Sequence, residues 1–92
     1  MPAPTISKEE LKAQLSTVLL IDVREPDEQG VIGNAQKIPL GRLIRDHQSL
    51  PKDKDIIIYC RSGVRGQIAA DFLAARGFKV KNLTGGFAGY SA

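Results

Sequence analysis

The chain has 92 residues, which is room for one compact domain, and we expect a single domain over residues 1–92. Apolar residues make up 42% of the chain and charged residues 25%, ordinary for a globular protein, and a net charge of +3 without a long basic run argues against a nucleic-acid partner. A single cysteine excludes an internal disulfide, and with a single histidine no zinc site or other metal site is expected.

The start of the chain has no pattern of a targeting segment. The stretch MPAPTISKEEL lacks a basic region followed by an apolar run, so we expect no signal peptide. The apolar runs at Val18–Ile21 and Ile56–Ile58 are far shorter than a membrane span, and no apolar run in the chain exceeds five residues. We therefore expect no membrane partner and a reducing compartment, the cytoplasm, in which a thiol stays free.

The first predicted element is a short helix. Pro2 and Pro4 predict a frayed segment before it. Ser7, followed three residues later by Glu10, has the spacing of a capping box, which predicts a helix over Lys8–Leu15.

A buried strand is predicted next. The run Val18–Asp22 (VLLID) is continuously apolar and ends in a carboxylate, which is typical of a strand covered on both faces. Three shorter elements are predicted after it: a helical turn over 26–30, a strand over Gln36–Pro39 and an amphipathic helix over Leu40–His47.

The second half of the chain predicts a strand, a long helix, a strand and a closing helix. Asp55–Tyr59 (DIIIY) is the second buried strand, and Lys79–Leu83 is the last one. The helix is predicted over Val64–Arg76, and Gly77 ends it. Its apolar stripe is predicted to consist of Val64, Ile68, Phe72 and Ala75, widened by Ala69 and Leu73. Glycines at 85, 86 and 89 mark the closing helix.

Strands and helices therefore alternate, which predicts an α/β fold with a mostly parallel central sheet and helices on both faces. Ligands of such sheets bind beyond the carboxyl ends of the strands. The residue that follows DIIIY at that edge is Cys60.

The loop Cys60-Arg61-Ser62-Gly63-Val64-Arg65 carries the features of a reactive thiol. Its cysteine precedes a helix N-terminus, where unpaired N–H groups and the helix dipole favour an anion. Arg61 and Arg65 add positive charge, and Gly63 lets several N–H groups converge on one point. The alternative is a buried structural cysteine with surface arginines. That alternative does not explain why two cations flank a Cys-Ser-Gly turn.

At this point the sequence resembles a rhodanese homology domain over essentially its whole length. Five stretches carry the resemblance, in order and with suitable spacing: IDVREPDEQ (21–29), IPL (38–40), IIIYCRSGVR (56–65), AADFLAARGF (69–78) and NLTGGFAGY (82–90). The resemblance implies a rhodanese-like fold and a thiosulfate or related sulfurtransferase that needs no cofactor.

The resemblance also implies roles for the loop residues. Cys60 attacks the sulfane sulfur of a small anionic donor, keeps it as a persulfide, and passes it to a thiol, a protein acceptor or cyanide. The backbone N–H groups from Arg61 through Ser62, Gly63 and Val64 to Arg65 hold the persulfide anion. Arg61 and Arg65 are the expected contacts for the donor.

Asp22 and Arg24 match the DVR segment of the family as supporting residues. The Asp22 carboxylate either orients Arg65 or a loop N–H, or caps the end of its own strand. Three positions depart from the family pattern: Val31 stands where a His is frequent, Gly66 where a Ser is frequent, and Tyr90 where a Trp is frequent. His47 is expected to be a solvated surface residue.

Two other functions compete with sulfur transfer. Cysteine-dependent phosphatases and arsenate reductases place an arginine six residues after the cysteine, whereas Arg65 is five residues after Cys60. The shorter loop fits one sulfur atom better than a tetrahedral oxyanion. A non-catalytic sulfur carrier or partner-binding module is the other alternative, and the intact Cys60 with both arginines disfavours an inactive scaffold.

Overall fold

The computed structural model describes residues 2–91. Ten elements follow one another along the chain: β1 (Thr5–Ile6), α1 (Lys8–Lys12), β2 (Leu19–Asp22), β3 (Gln36–Lys37), α2 (Leu40–Arg45), a 3₁₀ turn (His47–Ser49), β4 (Asp55–Tyr59), α3 (Val64–Ala74), β5 (Lys79–Leu83) and α4 (Gly86–Tyr90). The strands form one five-stranded sheet in the order β1-β5-β4-β2-β3, and all four neighbouring pairs are parallel.

Helices cover both faces of this sheet, which confirms the predicted fold class. Because side chains alternate along a strand, Ile56 and Ile58 of β4 face one side and Ile57 and Tyr59 face the other. The first side packs against α2 and α3, and the second against α1 and α4. Cys60 continues the alternation and lies in the same cluster as Ile56 and Ile58. The strand pleat therefore turns the thiol towards α3.

The frayed start predicted from Pro2 and Pro4 is wrong. The Pro4 carbonyl accepts the Asn82 N–H at 3.0 Å, and the Ile6 carbonyl accepts the Thr84 N–H at 2.9 Å. Ile6 is buried in the core beneath this pairing. A strand of two residues has almost no sequence signal, since pairing with β5 is what holds it in place.

The long helix begins where predicted, and Ala69 and Leu73 of the predicted stripe are buried, but the other buried residues are not the predicted ones. Val64 is 68% exposed and Ile68 51% exposed. The residues that face the sheet are the small ones and one leucine: Gly66, Ala69, Ala70 and Leu73. They have the spacing of a helical stripe, and their small size lets α3 lie close to β4, directly over Cys60.

The remaining differences between prediction and structure concern helix ends and one side chain. The capping box of Ser7 and Glu10 is present, but α1 ends at Lys12 instead of residue 15. Residues 26–30 form a turn without a helix, and the predicted helix over Leu40–His47 ends at Arg45. His47 is half-buried rather than solvated: its ring meets the Phe72 ring edge-on at 5.0 Å between centroids.

Candidate active site

Cys60 directly follows β4 and is 1% exposed. Its Sγ accepts two backbone hydrogen bonds, from Gly63 N–H at 3.1 Å and from Gly66 N–H at 3.2 Å. The sulfur thus occupies the position of an N-cap side chain, which accepts the unpaired N–H of the third helical residue. The predicted group of N–H donors, residues 61–65, contains Gly63 but not Gly66. Two donors aimed at one sulfur are the contacts that a sulfur-centred anion requires.

Two glycines make this geometry feasible. Gly63 has φ +113°, a conformation that L side chains rarely adopt, and its carbonyl accepts Asn82 Nδ2–H at 3.1 Å. At Gly66 a Cβ atom would collide with Oδ1 of Asn82, a side chain only 4% exposed. The glycine that departs from the family pattern is therefore the residue that fits beside Asn82. Nothing in the pattern of the sequence pointed to Asn82, since it lies on β5, far along the chain.

Helix α4 holds the start of the loop from the other side. The N–H groups of Phe87 and Ala88 donate to the carbonyl oxygens of Cys60 and Arg61, at 2.8 and 2.9 Å. Gly86 has φ +58°, and a Cβ there would lie 2.5 Å from the Cys60 carbonyl oxygen. The GG segment near the C-terminus thus positions the backbone of Cys60. From the sequence it could be recognised only as the boundary of a helix.

Arg65 is bound to a residue that sequence reasoning missed. Its Nη1 donates to Glu28 Oε2 at 2.6 Å and its Nη2 to Glu28 Oε1 at 2.9 Å, a bidentate ion pair. The Arg65 guanidinium lowers the pKa of Glu28 to about 2, and the same hydrogen bonds raise the pKa of Arg65. The one feature of the sequence that could have indicated this pair is that Glu28 is an acidic residue four positions after the DVR segment.

Asp22 does not orient Arg65, so of its two predicted roles the structure shows the local one. Its carboxylate accepts the Arg24 backbone N–H at 2.9 Å and the Arg24 guanidinium at 2.8 Å, and both side chains are buried. Hydrogen bonding to Asp22 raises the pKa of Arg24. The same guanidinium donates to the Gly30 carbonyl at 2.6 Å and lies 4.3 Å from the centre of the Phe87 ring. Arg24 therefore links the turn over 26–30 to α4.

Arg61, Ser62 and Val64 are exposed on the outer surface of the loop. A cleft of about 350 Å³ adjoins Arg61, and its lining is mixed in character. It consists of Arg24, Glu28, Gln29, Arg61, Phe87, Ala88 and Ser91. The structure thus brings the Gly63 N–H to Cys60 Sγ, pairs the Arg65 side chain with Glu28, and leaves Arg61 at the surface of the adjacent cleft.

The fold and this loop define a class of cysteine-loop α/β domains. The model of the family described as Rhodanese-like domain matches residues 7–92, so the chain belongs to the rhodanese-like domain family. A sulfurtransferase from Allochromatium vinosum is 42% identical over 77 residues, which cover 80% of this chain and 72% of that protein. The thiosulfate sulfurtransferase GlpE of Coxiella burnetii is 33% identical over 78 residues, covering 82% and 73%.

Solved structures agree with this assignment. A rhodanese-related protein from Thermoplasma volcanium superposes with a TM-score of 0.91 at 29% identity, covering 96% of this chain and 90% of that one. The reduced CoADR-RHD protein of Bacillus anthracis also gives 0.91, at 42% identity. That match covers 97% of this chain but only 16% of the longer Bacillus anthracis protein.

Two further observations concern the part of the chain that the structure describes. Among residues 2–91 no three His, Cys, Asp or Glu side chains are grouped so that they could hold a metal ion. None of the helices formed by these residues is long and apolar enough to cross a membrane.

Proposed function

We propose that this protein is a sulfurtransferase that moves a sulfane sulfur from an anionic donor, such as thiosulfate, to a thiophilic acceptor through a persulfide on Cys60. In the first half-reaction the Cys60 thiolate attacks the outer sulfur of thiosulfate, the S–S bond of the donor breaks, and sulfite leaves with the bonding electron pair. In the second, an acceptor thiolate or cyanide attacks the terminal sulfur, and Cys60 departs as thiolate.

The observation that carries the proposal is the pair of N–H donors on Cys60 Sγ. They face an atom that is a thiolate at the start of the first half-reaction and again at the end of the second, and they belong to a helix N-terminus that favours negative charge. The carbonyls of Cys60 and Arg61 are fixed by α4, so the donors are held in place before the reaction. Sulfurtransferases among the relatives support the same reaction class.

Persulfide formation is tested directly by intact mass. The protein is incubated with thiosulfate, with glutathione persulfide and with a cysteine desulfurase that supplies sulfur, and its mass is then measured. We expect a gain of one sulfur atom, its removal by cyanide, and no gain in Cys60→Ser. A folded wild-type protein that gains no sulfur from any of these sources contradicts the proposed function.

The same preparation separates the competing functions. A sulfur carrier loads Cys60 but turns over only with one protein partner, so it shows the mass gain without multiple turnovers on cyanide. A phosphatase hydrolyses an aryl phosphate and forms no persulfide. Phosphate binding is disfavoured because the two N–H groups converge on the sulfur and Arg65 is engaged by Glu28.

The remaining parts of the proposal concern place and partners. We place the protein in the cytoplasm, where reducing conditions keep Cys60 available, and fractionation of cells tests this. Its partners are a small anionic sulfur donor and a thiol or protein acceptor, without a cofactor. That residues 1–92 form one domain remains a prediction, which a two-state unfolding curve tests.

A further inference from the structure

The positive charge at the mouth of the loop is smaller than its arginines suggest. Three arginines belong to the Cys60 loop or to the cleft beside it: Arg24, Arg61 and Arg65. Arg24 is paired with Asp22 at 2.8 Å and Arg65 with Glu28 at 2.6 Å. Subtracting these two pairs from three cations leaves one uncompensated charge, on Arg61. Within residues 2–91 no carboxylate lies at ion-pair distance from Arg61.

The Glu28–Arg65 ion pair is stabilised by further hydrogen bonds to Glu28. Both carboxylate oxygens are used by Arg65, Glu28 Oε2 also accepts the Glu25 N–H at 2.7 Å, and the Glu28 carbonyl accepts Lys37 Nζ at 2.8 Å. An anionic donor that uses Arg65 must displace a carboxylate held by three hydrogen bonds. The fork that would bind two oxygens of thiosulfate already binds two oxygens of Glu28.

The cleft that Arg61 and Glu28 line is large enough for an organic donor. Its volume of about 350 Å³ is within the range of small-molecule sites and far exceeds the needs of a small inorganic ion. Phe87 and Ala88 give it an apolar wall, and Arg61 is its one uncompensated cation among the lining residues. This combination matches a donor with a carbon chain and one negative charge.

We propose that Glu28 determines donor selectivity: by occupying Arg65 it makes the site favour singly charged organic donors, persulfides and thiosulfonates, over the thiosulfate dianion. This proposal rests on sulfur transfer through Cys60. The transfer reactions of both donor types are balanced without a further reactant. With a persulfide, Cys60-S⁻ and R-S-SH give Cys60-S-SH and R-S⁻. With methanethiosulfonate, Cys60-S⁻ and CH₃SO₂-S⁻ give Cys60-S-S⁻ and CH₃SO₂⁻, the sulfinate.

Thiosulfate and methanethiosulfonate form a matched pair of probes, since both present an S–S bond to Cys60 and they differ by one charge. Glu28→Gln keeps the size of the side chain and one acceptor oxygen but releases the charge of Arg65. At about 6 Å in a solvent-exposed mouth, one added unit charge raises the affinity for a monoanion about threefold and for a dianion about tenfold, since the Coulomb energy doubles. Asp27→Asn removes the same charge from the exposed neighbouring residue and serves as the control.

The experiment measures kcat/KM for both donors, with cyanide as acceptor, in wild type, Glu28→Gln and Asp27→Asn. We expect Glu28→Gln to raise kcat/KM about tenfold for thiosulfate and about threefold for methanethiosulfonate, with the difference shrinking at high salt. Asp27→Asn should change both by less than about twofold. Equal gains for the two donors, no gain for thiosulfate, or the same pattern in Asp27→Asn would overturn the proposal.

A second measurement does not depend on a variant. With one uncompensated cation, wild-type kcat/KM for thiosulfate should fall only weakly as salt increases, and a steep fall would show that Arg65 is free to attract the dianion. Failure of the underlying function looks different. If neither donor loads sulfur onto folded wild-type protein, sulfur transfer itself is wrong, whereas loading without the expected selectivity rejects only the role of Glu28.

Discussion

Gly86→Ala should destabilise the protein and slow persulfide formation together. Gly86 has φ +58°, and a Cβ there would lie 2.5 Å from the Cys60 carbonyl oxygen and 2.6 Å from that of Arg61. The left-handed conformation costs a non-glycine residue about 1–2 kcal/mol, and overpacking costs about 1–3 kcal/mol. The free energy of unfolding should therefore fall by about 2–5 kcal/mol. The atoms in the way are backbone atoms, so relief requires moving the Cys60 loop.

Urea unfolding and the rate of sulfur loading measure these two effects. A loss of about 2 kcal/mol corresponds to a melting temperature lower by about 10 °C in a domain of this size. Gly89→Ala is the control, since Gly89 lies in the same short helix and its Cβ would come only within 3.9 Å of the Thr84 carbonyl oxygen. That variant should be unchanged or up to about 1 kcal/mol more stable. A Gly86→Ala protein as stable and as fast as wild type would refute the steric argument.

Three further predictions concern the ion pairs. Asp22→Asn leaves the buried Arg24 guanidinium unpaired, so unfolding by urea should show a loss of about 3 kcal/mol, and a loss below about 1 kcal/mol would contradict the pairing. The folded-state pKa of Glu28, about 2, lies below its ordinary value of 4.5, so its contribution to stability is complete above pH 4.5 and is lost as the pH falls towards 2. Acid unfolding of Glu28→Gln should lack that component, and identical acid profiles would count against it. Arg65→Ala leaves Glu28 as an uncompensated charge beside the Cys60 loop, so kcat/KM should fall several-fold for thiosulfate, a dianion, and by less for the singly charged acceptor cyanide, and unchanged donor kinetics would assign Arg65 a structural role.

The sequence pattern located the central strands and the cysteine loop because both depend on local features. Asp55–Tyr59 and Lys79–Leu83 have the predicted bounds, since apolar runs between turn residues define buried strands. Cys60 follows from its position between such a strand and a helix. In contrast, β1 could not be predicted, because its two residues are held by β5 rather than by any preference of their own.

The buried face of α3 was predicted only in part, since Ala69 and Leu73 are buried as expected but the larger apolar residues are not. A periodicity argument assigns the core to the larger apolar residues, and here Val64 and Ile68 point outwards. The core is instead built from Gly66, Ala69, Ala70 and Leu73, because the helix must approach β4 closely enough for a backbone N–H to reach Cys60 Sγ. These four residues do have helical spacing, but periodicity alone could not choose between their face and that of the larger apolar residues, because the choice depends on the site.

Sequence and structure predict different net charges around the Cys60 loop, and this difference changes the expected sulfur donor. Sequence alone counts arginines, and by that count a dianion such as thiosulfate is the natural donor. Pairing depends on the turn over 26–30, which brings Glu28 to Arg65 across 37 residues of chain. Once Arg24 and Arg65 are neutralised, electrostatic attraction rests on Arg61 alone, and an organic monoanion gains relative to thiosulfate. The residue that sets the preference is then an acid, Glu28, and not one of the bases around the nucleophile.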